Sequence, residues 1–372
     1  ALYLEGGVRG VEIGSLMFEH RDPDTGEMVS PAMELVRLAV PRRVYTHTQL
    51  DYVADVAARV AEIGEQLRGL EIESAPPALR HFTARLRPVG GGERVARVGV
   101  EASVISHGAW EALAEATPHV ELVPADGLVE SARQTKEPHE LERVAAACRI
   151  ADEALAQTLP EIKVGISERE LALSLEWKMR TGGADGLAFD VACLSGPRAA
   201  LPHGSPGPRP ITAGEVLLFD FGARVAGYRS DMTRTLFVGE PSIRDLEIYG
   251  LVARAQAAAL ELLSERVAAG EPVSNREIDA AARTVIEAAG HGQHFGHGTG
   301  HGIGLATHEL PSLGRLSPEA PLPSPTVFSV EPGVYLDEMT GVRIEDLAAV
   351  DGEAGSVQLL TGFPREVTIV GD

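Results

Sequence analysis

Residues 215–239 read "EVLLFDFGARVAGYRSDMTRTLFVG", which is two largely apolar runs on either side of a turn that contains Gly227. This pattern predicts a β-hairpin. Asp220 and Asp231 lie almost symmetrically about a centre near residues 225 and 226, so we expect them to be cross-strand neighbours, with Cβ atoms ~5 Å apart. Two carboxylates that point together from apolar strands are costly unless a cation neutralises them. The hairpin therefore predicts a metal site.

A second stretch, residues 327–350, repeats this arrangement with the sequence "VFSVEPGVYLDEMTGVRIEDLAAV". Glu331 and Glu345 are equally distant from a turn near residue 338, so they too are predicted to face each other across a hairpin. The expected strands of the two hairpins are 215–222, 228–238, 327–331 and 341–350. The C-terminal part of the chain is thus predicted to contain two related modules, each of which contributes a pair of acids.

Between the hairpins, residues 294–308 read "HFGHGTGHGIGLATH", with glycine at every second position from 296 to 304. Each glycine opposes a helix by ~1 kcal/mol relative to alanine, so the segment is predicted to be extended. Alternation then places the histidines on one face and leaves the other face open to a neighbouring backbone. Because His297 and His301 would be ~13 Å apart in a strand, we expect one to be a metal ligand and the other to lie further along the cleft.

Four carboxylates and one imidazole form an oxygen-rich ligand set, which suits a pair of divalent ions rather than a structural zinc site. Two such ions can lower the pKa of a bridging water, and one of them can polarise a carbonyl group. The predicted chemistry is therefore hydrolysis.

Composition limits the other functions open to this chain. The 372 residues, 44% of them hydrophobic, are enough for two domains with separate cores. A formal net charge of -21 argues against nucleic acid and anionic membranes as partners. Without an apolar run of ~20 residues or a signal peptide, the protein is expected to be soluble and cytoplasmic. Cys148 and Cys193 lie outside any CxxC pattern and are predicted to be buried free thiols.

The chain divides into two regions, which we predict as domains 1–127 and 128–372. The first alternates strand-like and helical runs, an α/β pattern; its strand-like runs are Leu35–Val40, Val95–Val100 and Val120–Val123, and residues 50–67 have helical character. Helices predicted in the second region begin near Pro138, at the capping boxes of Ser167 with Glu170 and Ser274 with Glu277, and near Ser242. The fold class is therefore α/β, or α+β.

Five motifs, in this order, resemble the pita-bread-fold metallopeptidases, specifically the Xaa-Pro branch of prolidases and aminopeptidases P. They are "LPHG" (201–204), "DFGA…YRSDMTRT" (220–235), "GHGTGHGIGLATHE" (296–309), "VEPGVY" (330–335) and "GVRIED" (341–346). The N-terminal region is similar only through "RVGVEAS" (97–103) and "LVESARQTKEPHELE" (128–142). The resemblance implies a C-terminal pita-bread catalytic domain and a smaller, creatinase-like N-terminal domain.

The resemblance also implies a role for each site residue. The ligands of two metal ions would be Asp220, Asp231, His301, Glu331 and Glu345, with Asp231 and Glu345 bridging the ions. Glu331 would also take the proton of the attacking water, His308 would donate to the oxyanion, and His203 would lie near the leaving group. The walls of the proline pocket would be His297, Tyr335 and Arg343.

The implied activity is metal-dependent hydrolysis of the Xaa-Pro bond in small peptides with proline at the second position. A prolidase acts on dipeptides, whereas an aminopeptidase P acts on longer peptides; the compact length favours a prolidase. A methionine aminopeptidase is disfavoured by the additional N-terminal domain. A metal-free relative, either a creatinase-like enzyme or a binding module, is disfavoured because all five ligands are present.

A prolidase needs a cation that binds the carboxylate of its dipeptide substrate. Arg42 and Arg43 in "VPRRVY" (40–45) are adjacent arginines after an apolar run, and we hypothesise that they supply this cation. Manganese is the expected metal, with zinc and cobalt as alternatives, because carboxylates with one imidazole do not discriminate sharply among these ions. The resemblance further implies a homodimer.

Overall fold

The computed structural model describes residues 97–117 and 120–371, together with shorter stretches at 11–13, 20–21, 28–29, 35–37, 56–63, 70–74 and 85–88. The chain forms two compact units, Ala1–Leu128 and Val129–Asp372. Arg42 and Arg43 lie outside the described residues, so the hypothesis that concerns them stays a prediction.

The first unit contains short strands and two described helices. Its strands are β1 (Val11–Ile13), β2 (His20–Arg21), β3 (Met28–Val29), β4 (Leu35–Arg37), β5 (Leu70–Ser74), β6 (Arg85–Pro88), β7 (Arg97–Val100) and β8 (Glu121–Pro124). Its helices are α1 (56–62) and α2 (His107–Ala116). Strands β7 and β8 are parallel, and the pairs β1–β4, β2–β3 and β5–β6 are antiparallel. The predicted runs Leu35–Val40 and Val95–Val100 contain β4 and β7, and the run Val120–Val123 overlaps β8, which ends one residue later.

The second unit contains five helices around several small sheets. The helices are α3 (Leu128–Gln134, which begins at the unit boundary), α4 (Pro138–Thr158), α5 (Glu168–Thr181), α6 (Ile243–Ala268) and α7 (Asn275–Ala288). Capping boxes begin α5 at Ser167 and α7 at Ser274, as predicted. Both serine side chains accept a hydrogen bond from the backbone N–H three residues later. None of the described helices is long and apolar enough to span a bilayer.

The strands of the second unit are β9 (Gly186–Leu187), β10 (Ala192–Ser195), β11 (Val216–Phe221), β12 (Ala223–Val225), β13 (Tyr228–Arg229), β14 (Met232–Val238), β15 (Gly300–Gly302), β16 (Glu309–Leu313), β17 (Thr326–Val330), β18 (Gly333–Leu336), β19 (Thr340–Arg343), β20 (Asp346–Asp351), β21 (Ser356–Leu359) and β22 (Ile369–Val370). A four-stranded sheet has the order β10-β11-β14-β22, and a five-stranded sheet has the order β16-β15-β17-β20-β21. Strands β12 and β13, with β9, and strands β18 and β19 form smaller sheets.

The first hairpin comprises residues 216–238. Its turn centres on Ala226 and Gly227, which both have positive φ, 49° and 89°, the conformation that a tight two-residue hairpin turn requires. In the resulting register Asp220 pairs with Thr233. The predicted centre was therefore wrong by about one residue, and Asp220 and Asp231 are not direct partners. Asp231 precedes Thr233 by two residues, so the two acids are offset by two positions along the hairpin.

The second hairpin comprises residues 326–351, and its register confirms the prediction. Val330 pairs with Asp346 on one side of the acids, and Gly333 pairs with Arg343 on the other. Both pairs are centred on residue 338, so Glu331 and Glu345 occupy equivalent positions on the two arms. The hairpin therefore places these two carboxylates opposite each other.

Three apolar clusters of described residues pack the hairpins against the helices. Strand β11 contributes to two of them: Leu217, Phe219 and Phe221 pack in the cluster that contains α4 and α5, whereas Val216 and Leu218 pack in the cluster that contains α6 and α7. A strand that is buried on both faces has a continuous apolar sequence rather than an alternating one, which explains the run that precedes Asp220. Cys148 and Cys193 are buried, as predicted.

Candidate metal centre and active site

The acidic residues of both hairpins lie where regular strand pairing stops. Asp231 lies between β13 and β14, Glu345 lies between β19 and β20, and Glu331 follows the last residue of β17. Asp220 is the next-to-last residue of β11. At these interruptions the hairpins leave the larger sheets and enter the smaller ones. The sequence predicted continuous strands through Asp231 and Glu345, so the breaks are a correction.

Three of the five predicted ligands form a tight group. One ligand atom each from Asp231, His301 and Glu345 lies within 4.8 Å of the others. Glu331 adjoins the group, because its Oε1 is 3.2 Å from His301 Nε2. Asp220 is held from another direction, with its Oδ2 2.5 Å from Arg343 Nη2. The cluster therefore contains residues from both hairpins and from strand β15.

Burial and mutual repulsion shift the pKa values of several acids in this cluster. Burial and the charges of Glu331 and Asp220 raise the pKa of Glu345 to about 8. Burial and the charge of Glu345 raise the pKa of Asp231 well above its usual range. Burial opposes the charged form of His301, but the hydrogen bond and charge of Glu331 outweigh it and raise the pKa of His301 to about 9. Additional positive charge would relieve this repulsion.

The orientation of His301 fits a metal ligand. Its Nδ1 lies 3.1 Å from the carbonyl oxygen of Gly302, to which an Nδ1–H donates. This bond leaves Nε2 directed at the carboxylates of Glu331 and Asp231, at 3.2 and 3.7 Å. Metal-binding histidines commonly anchor their second ring nitrogen in this way. The donor set of one imidazole and several carboxylates therefore fits divalent cations.

A hydrogen-bonded chain extends from Asp220 to the glycine-rich segment. Arg343 donates to Asp220 and, through Nη1, to the hydroxyl oxygen of Tyr335 at 2.9 Å. The Tyr335 hydroxyl lies 2.8 Å from Nε2 of His297, and Nδ1 of His297 lies 2.8 Å from the Gly298 carbonyl oxygen. Burial lowers the pKa of His297, so a neutral ring donates from Nδ1 and accepts the Tyr335 proton at Nε2. The predicted pocket residues His297, Tyr335 and Arg343 thus form one connected unit.

The predicted catalytic histidines are the more exposed members of the site. The rings of His308 and His301 have centroids 4.3 Å apart. Burial and the charge of His301 lower the pKa of His308, and the charge of His203 adds to this effect. His203 is exposed in a turn after the 3₁₀ helix Gly196–Ala200. His308 therefore lies beside the proposed ligand His301, whereas His203 lies on an exposed turn.

The glycine-rich segment follows the expected close-approach pattern over only part of its length. A Cβ atom would lie 2.5 Å from the Leu313 carbonyl oxygen at Gly298, 1.8 Å from that of Ser329 at Gly300 and 2.1 Å from that of Leu310 at Gly302. At Gly296 it would meet nothing within 4 Å. The only strand in the segment is β15, so residues 296–299 do not form the strand that alternation suggested.

Several supporting residues were not identified from the sequence. Thr233 Oγ1 donates to Glu345 at 2.6 Å, and Ser329 Oγ donates to Glu331 at 2.9 Å. Arg234, 1% exposed, donates to the backbone oxygens of Thr233 and Glu345 and to the carboxylate of Asp346. The bonds to Glu345 and Asp346 join residues more than 100 positions apart, so no local pattern indicates them, whereas the Ser329 bond and the bond from Arg234 to Thr233 are local.

The start of the glycine-rich segment is fixed by an ion pair on helix α7. Arg283 and Asp279 form a buried bidentate pair with two distances of 2.8 Å. Asp279 also accepts from the backbone N–H of Thr299 at 3.0 Å, and Arg283 donates to the carbonyl oxygen of His297 at 2.7 Å. The helical i,i+4 spacing of Asp279 and Arg283 was readable in the sequence, but their partners were not.

Buried carboxylates around a single imidazole, on two hairpins of an α/β protein, are typical of a metal-dependent hydrolase. The sequence profile of metallopeptidase family M24 matches residues 142–351, more than half of the chain. The chain therefore belongs to metallopeptidase family M24 and is a peptidase. This match confirms the resemblance to pita-bread metallopeptidases.

Individual relatives support the same family. An Xaa-Pro dipeptidase of Pyrococcus horikoshii is 37% identical over 254 residues, which is 68% of this chain and 70% of that protein. The structure of an Xaa-Pro dipeptidase from Bacillus anthracis is 32% identical, with a TM-score of 0.72 over 92% of this chain and 88% of that one. The structure of an X-Pro aminopeptidase from Thermotoga maritima is 35% identical, with a TM-score of 0.69 over 74% of each chain.

Proposed function

We propose that this protein hydrolyses the Xaa-Pro bond and favours dipeptides, which would make it a prolidase. The observation that carries the proposal is the convergence of Asp231, His301 and Glu345 within 4.8 Å, with Glu331 beside them. The names of the Pyrococcus relative and the Bacillus anthracis structure support the dipeptide preference.

We propose that five residues hold two divalent ions, namely Asp220, Asp231, His301, Glu331 and Glu345. When bound, such ions supply a water of lowered pKa and polarise the scissile carbonyl group. Arg343 donates to Oδ2 of Asp220 at 2.5 Å, so this carboxylate would bind an ion while Arg343 orients it. Arg343 is itself held by hydrogen bonds to Thr233 and Tyr335.

The chain's own side chains are arranged for proton transfer. Oε1 of Glu331 is engaged by Ser329 and His301, whereas Oε2 has no hydrogen-bonding partner in the part of the chain that the structure describes. Oε2 is therefore the atom that we propose takes the proton of the attacking water and passes it to the leaving nitrogen. His308, whose pKa is lowered, is neutral near pH 7 and retains one N–H, which we propose donates to the tetrahedral oxyanion.

We propose that the remaining residues recognise the substrate. His203 would lie near the leaving group, and His297, Tyr335 and Arg343 would form the walls of the proline pocket. Their hydrogen-bonded chain fixes the Tyr335 ring, which is 7% exposed, in one orientation. A rigid wall suits proline, because its ring has few conformations and its tertiary amide has no N–H to satisfy.

The direct test is hydrolysis of Ala-Pro, Met-Pro and a longer Ala-Pro peptide after chelation, with and without added manganese. We expect all cleavage to require metal and the dipeptides to be cleaved with the higher kcat/KM. Chelator-resistant cleavage would contradict the metal mechanism. Preference for the longer peptide would identify an aminopeptidase P, the alternative that the Thermotoga structure favours.

Arg42 and Arg43 are our proposed source of the cation for the dipeptide carboxylate. Arg42→Ala and Arg43→Ala are each compared with the parent chain on Xaa-Pro and Xaa-Pro-Xaa peptides. We expect a selective loss on the dipeptide, because only its carboxylate directly follows proline. An unchanged ratio between the two substrates rules these arginines out.

We also propose that the natural ions are manganese and that the protein is a homodimer. Elemental analysis after reconstitution with manganese, zinc or cobalt, each followed by activity measurement, tests the metal. Light scattering coupled to size-exclusion chromatography tests the oligomeric state. A monomer that is fully active would overturn the second proposal.

A further inference from the structure

The motif "ARQTKEPHELE" (132–142) comprises the end of helix α3, the linker to helix α4 and the start of α4. It has no part in the proposed chemistry, yet it contains an almost fully buried lysine. The side chain of Lys136 is 1% exposed, whereas that of Lys163 is exposed. Burying an ammonium group is costly unless a carboxylate compensates it. Lys136 must therefore have a specific partner.

That partner is Glu309, whose side chain is 5% exposed. Lys136 Nζ lies 3.3 Å from Glu309 Oε2, and Arg133 Nη2 donates to Oε1 of the same carboxylate. Lys136 Nζ also donates to the carbonyl oxygen of Arg133, which joins the two cationic residues. One buried carboxylate thus binds two cations from the motif.

Glu309 also fixes the chain segment that contains His308. Its Oε1 accepts a hydrogen bond from the backbone N–H of Ala306 at 2.8 Å. We call residues 304–309 the His308 loop. Gly304, at its start, approaches the same carboxylate so closely that a Cβ atom there would lie 2.9 Å from Oε2. The Glu309 carboxylate therefore contacts the loop at both Gly304 and Ala306.

The first hairpin holds the other side of the His308 loop. The backbone N–H of Arg229 donates to the carbonyl oxygen of Gly304 at 3.0 Å, and its Nε donates to that of Leu305 at 3.1 Å. Arg229 Nη1 also donates to Thr307 Oγ1 at 3.3 Å, and Thr307 Oγ1 donates to the carbonyl oxygen of Ala188 at 3.3 Å. Between these contacts the loop backbone is held at Ala306 by Glu309, and Arg133 and Lys136 bind the Glu309 carboxylate.

We infer that Lys136 and Arg133 are positioning residues, which act through Glu309 to hold His308 beside His301. The inference rests on the proposed function, because it assigns the effect to the role of His308 in hydrolysis. A displacement of ~1 Å in a reacting group can cost about 100-fold in rate. An ion pair that merely anchored the segment between helices α3 and α4 would instead change stability and leave the turnover of the folded enzyme unchanged.

The first experiment compares Lys136→Met with Lys163→Met, which removes an exposed lysine of the same chain. With manganese and Ala-Pro, we expect Lys136→Met to lower kcat by about tenfold or more, with KM and metal content within about twofold of the parent values. Lys136→Arg, which keeps the charge, should recover a substantial part of kcat. Lys163→Met should behave as the parent chain.

The second experiment is a double-mutant cycle with His308→Ala. If Lys136 acts through His308, Lys136→Met lowers kcat much less in the His308→Ala background than in the parent chain. Equal factors in the two backgrounds overturn the inference. If Lys136→Met does not fold, Arg133→Gln replaces it in the same double-mutant cycle with His308→Ala. The Arg133 side chain is 29% exposed, so its replacement should disturb folding less. Failure of the parent chain to cleave Xaa-Pro peptides refutes the proposed function instead, so the two failures are distinguishable.

Discussion

Glu331 and Glu345 occupy equivalent positions on the two arms of the second hairpin, each in a gap between paired strands. The gap matters because a residue inside a regular ladder has its direction fixed by the alternation of the strand. A residue in a gap can turn its side chain toward a common point. Asp231 occupies a comparable gap in the first hairpin. The cluster therefore combines acidic residues from both hairpins that lie outside regular strand pairing.

Loss of Glu345 should therefore weaken metal binding strongly. In Glu345→Gln we expect the affinity for manganese to fall by more than about 100-fold. Mutation of a residue that only orients a metal ligand already lowers metal affinity roughly 10–100-fold, and loss of a ligand should have a larger effect. Isothermal titration calorimetry measures the affinity, and elemental analysis measures the bound metal. Glu338→Gln, exposed at the tip of the same hairpin, is the matched control and should bind metal normally. Retained affinity in Glu345→Gln would remove this residue from the ligand set.

The metal-free protein should lose stability as the pH rises. Glu345 has a folded pKa of about 8 against an ordinary value of 4.5, so between these values the folded state holds a proton that the unfolded state releases. His301 has a folded pKa of about 9 against an ordinary value of 6.5. Its positive charge, which the hydrogen bond and charge of Glu331 favour in the folded state, is lost as the pH rises through this range. Both effects have the same sign, and stability falls toward alkaline pH.

Differential scanning calorimetry of the chelated protein tests this dependence. We expect the melting temperature to fall by several degrees between about pH 5.5 and about pH 8.5, since 1 kcal/mol corresponds to roughly 2–4 °C in a domain of this size. Saturating manganese should reduce the slope, because the ions bind the deprotonated cluster. A melting temperature that is constant or rises over this range would contradict the pKa directions.

Two glycines of the same segment should respond oppositely to alanine. A Cβ at Gly300 would lie 1.8 Å from the Ser329 carbonyl oxygen, whereas one at Gly296 would meet nothing within 4 Å. We expect Gly300→Ala to destabilise the protein by ~1–3 kcal/mol or more, because the backbone must move. Gly296→Ala should be neutral or stabilising by up to ~1 kcal/mol. Urea denaturation measures both values, and equal effects would show that the segment is not closely packed.

Removal of Arg234 should destabilise the second unit strongly. Arg234 and Asp346 form a pair in which each side chain is 1% exposed, and removing one member of such a pair costs ~3–5 kcal/mol. Arg365, 44% exposed and 3.8 Å from the same Asp346 carboxylate, provides a control. We expect Arg365→Met to cost at most ~1 kcal/mol in the denaturation experiment that measures Arg234→Met. Similar losses for both variants would argue against a special role for the buried pair.

The parts of the fold that local chemistry determines could be read from the sequence. Ser167 and Ser274 begin helices because their side chains cap them, and the second hairpin follows from the symmetric placement of Glu331 and Glu345. The first hairpin was placed incorrectly because Ala226 adopts a positive φ, 49°, which is uncommon for residues other than glycine. The true turn therefore lies on both Ala226 and Gly227.

The less predictable features depend on distant contacts. No local pattern shows that Arg234 binds the backbone of Glu345, 111 positions away, or that Lys136 binds Glu309, 173 positions away. The motifs of the candidate site could be identified from the sequence because the residues of each motif lie within a few positions of one another. The network that connects those motifs forms only when the hairpins and helices pack.

The burial of both cysteines makes the protein convenient for site-specific labelling. Cys148 and Cys193 are the only cysteines in the sequence, and burial raises the pKa of both thiols well above the usual range. A thiol that is both inaccessible and protonated reacts slowly with maleimides. A single cysteine introduced at exposed Asp337 would therefore carry a fluorophore at the tip of the second hairpin without replacement of either native thiol. Its emission would report in real time how that tip responds when ions or peptides are added.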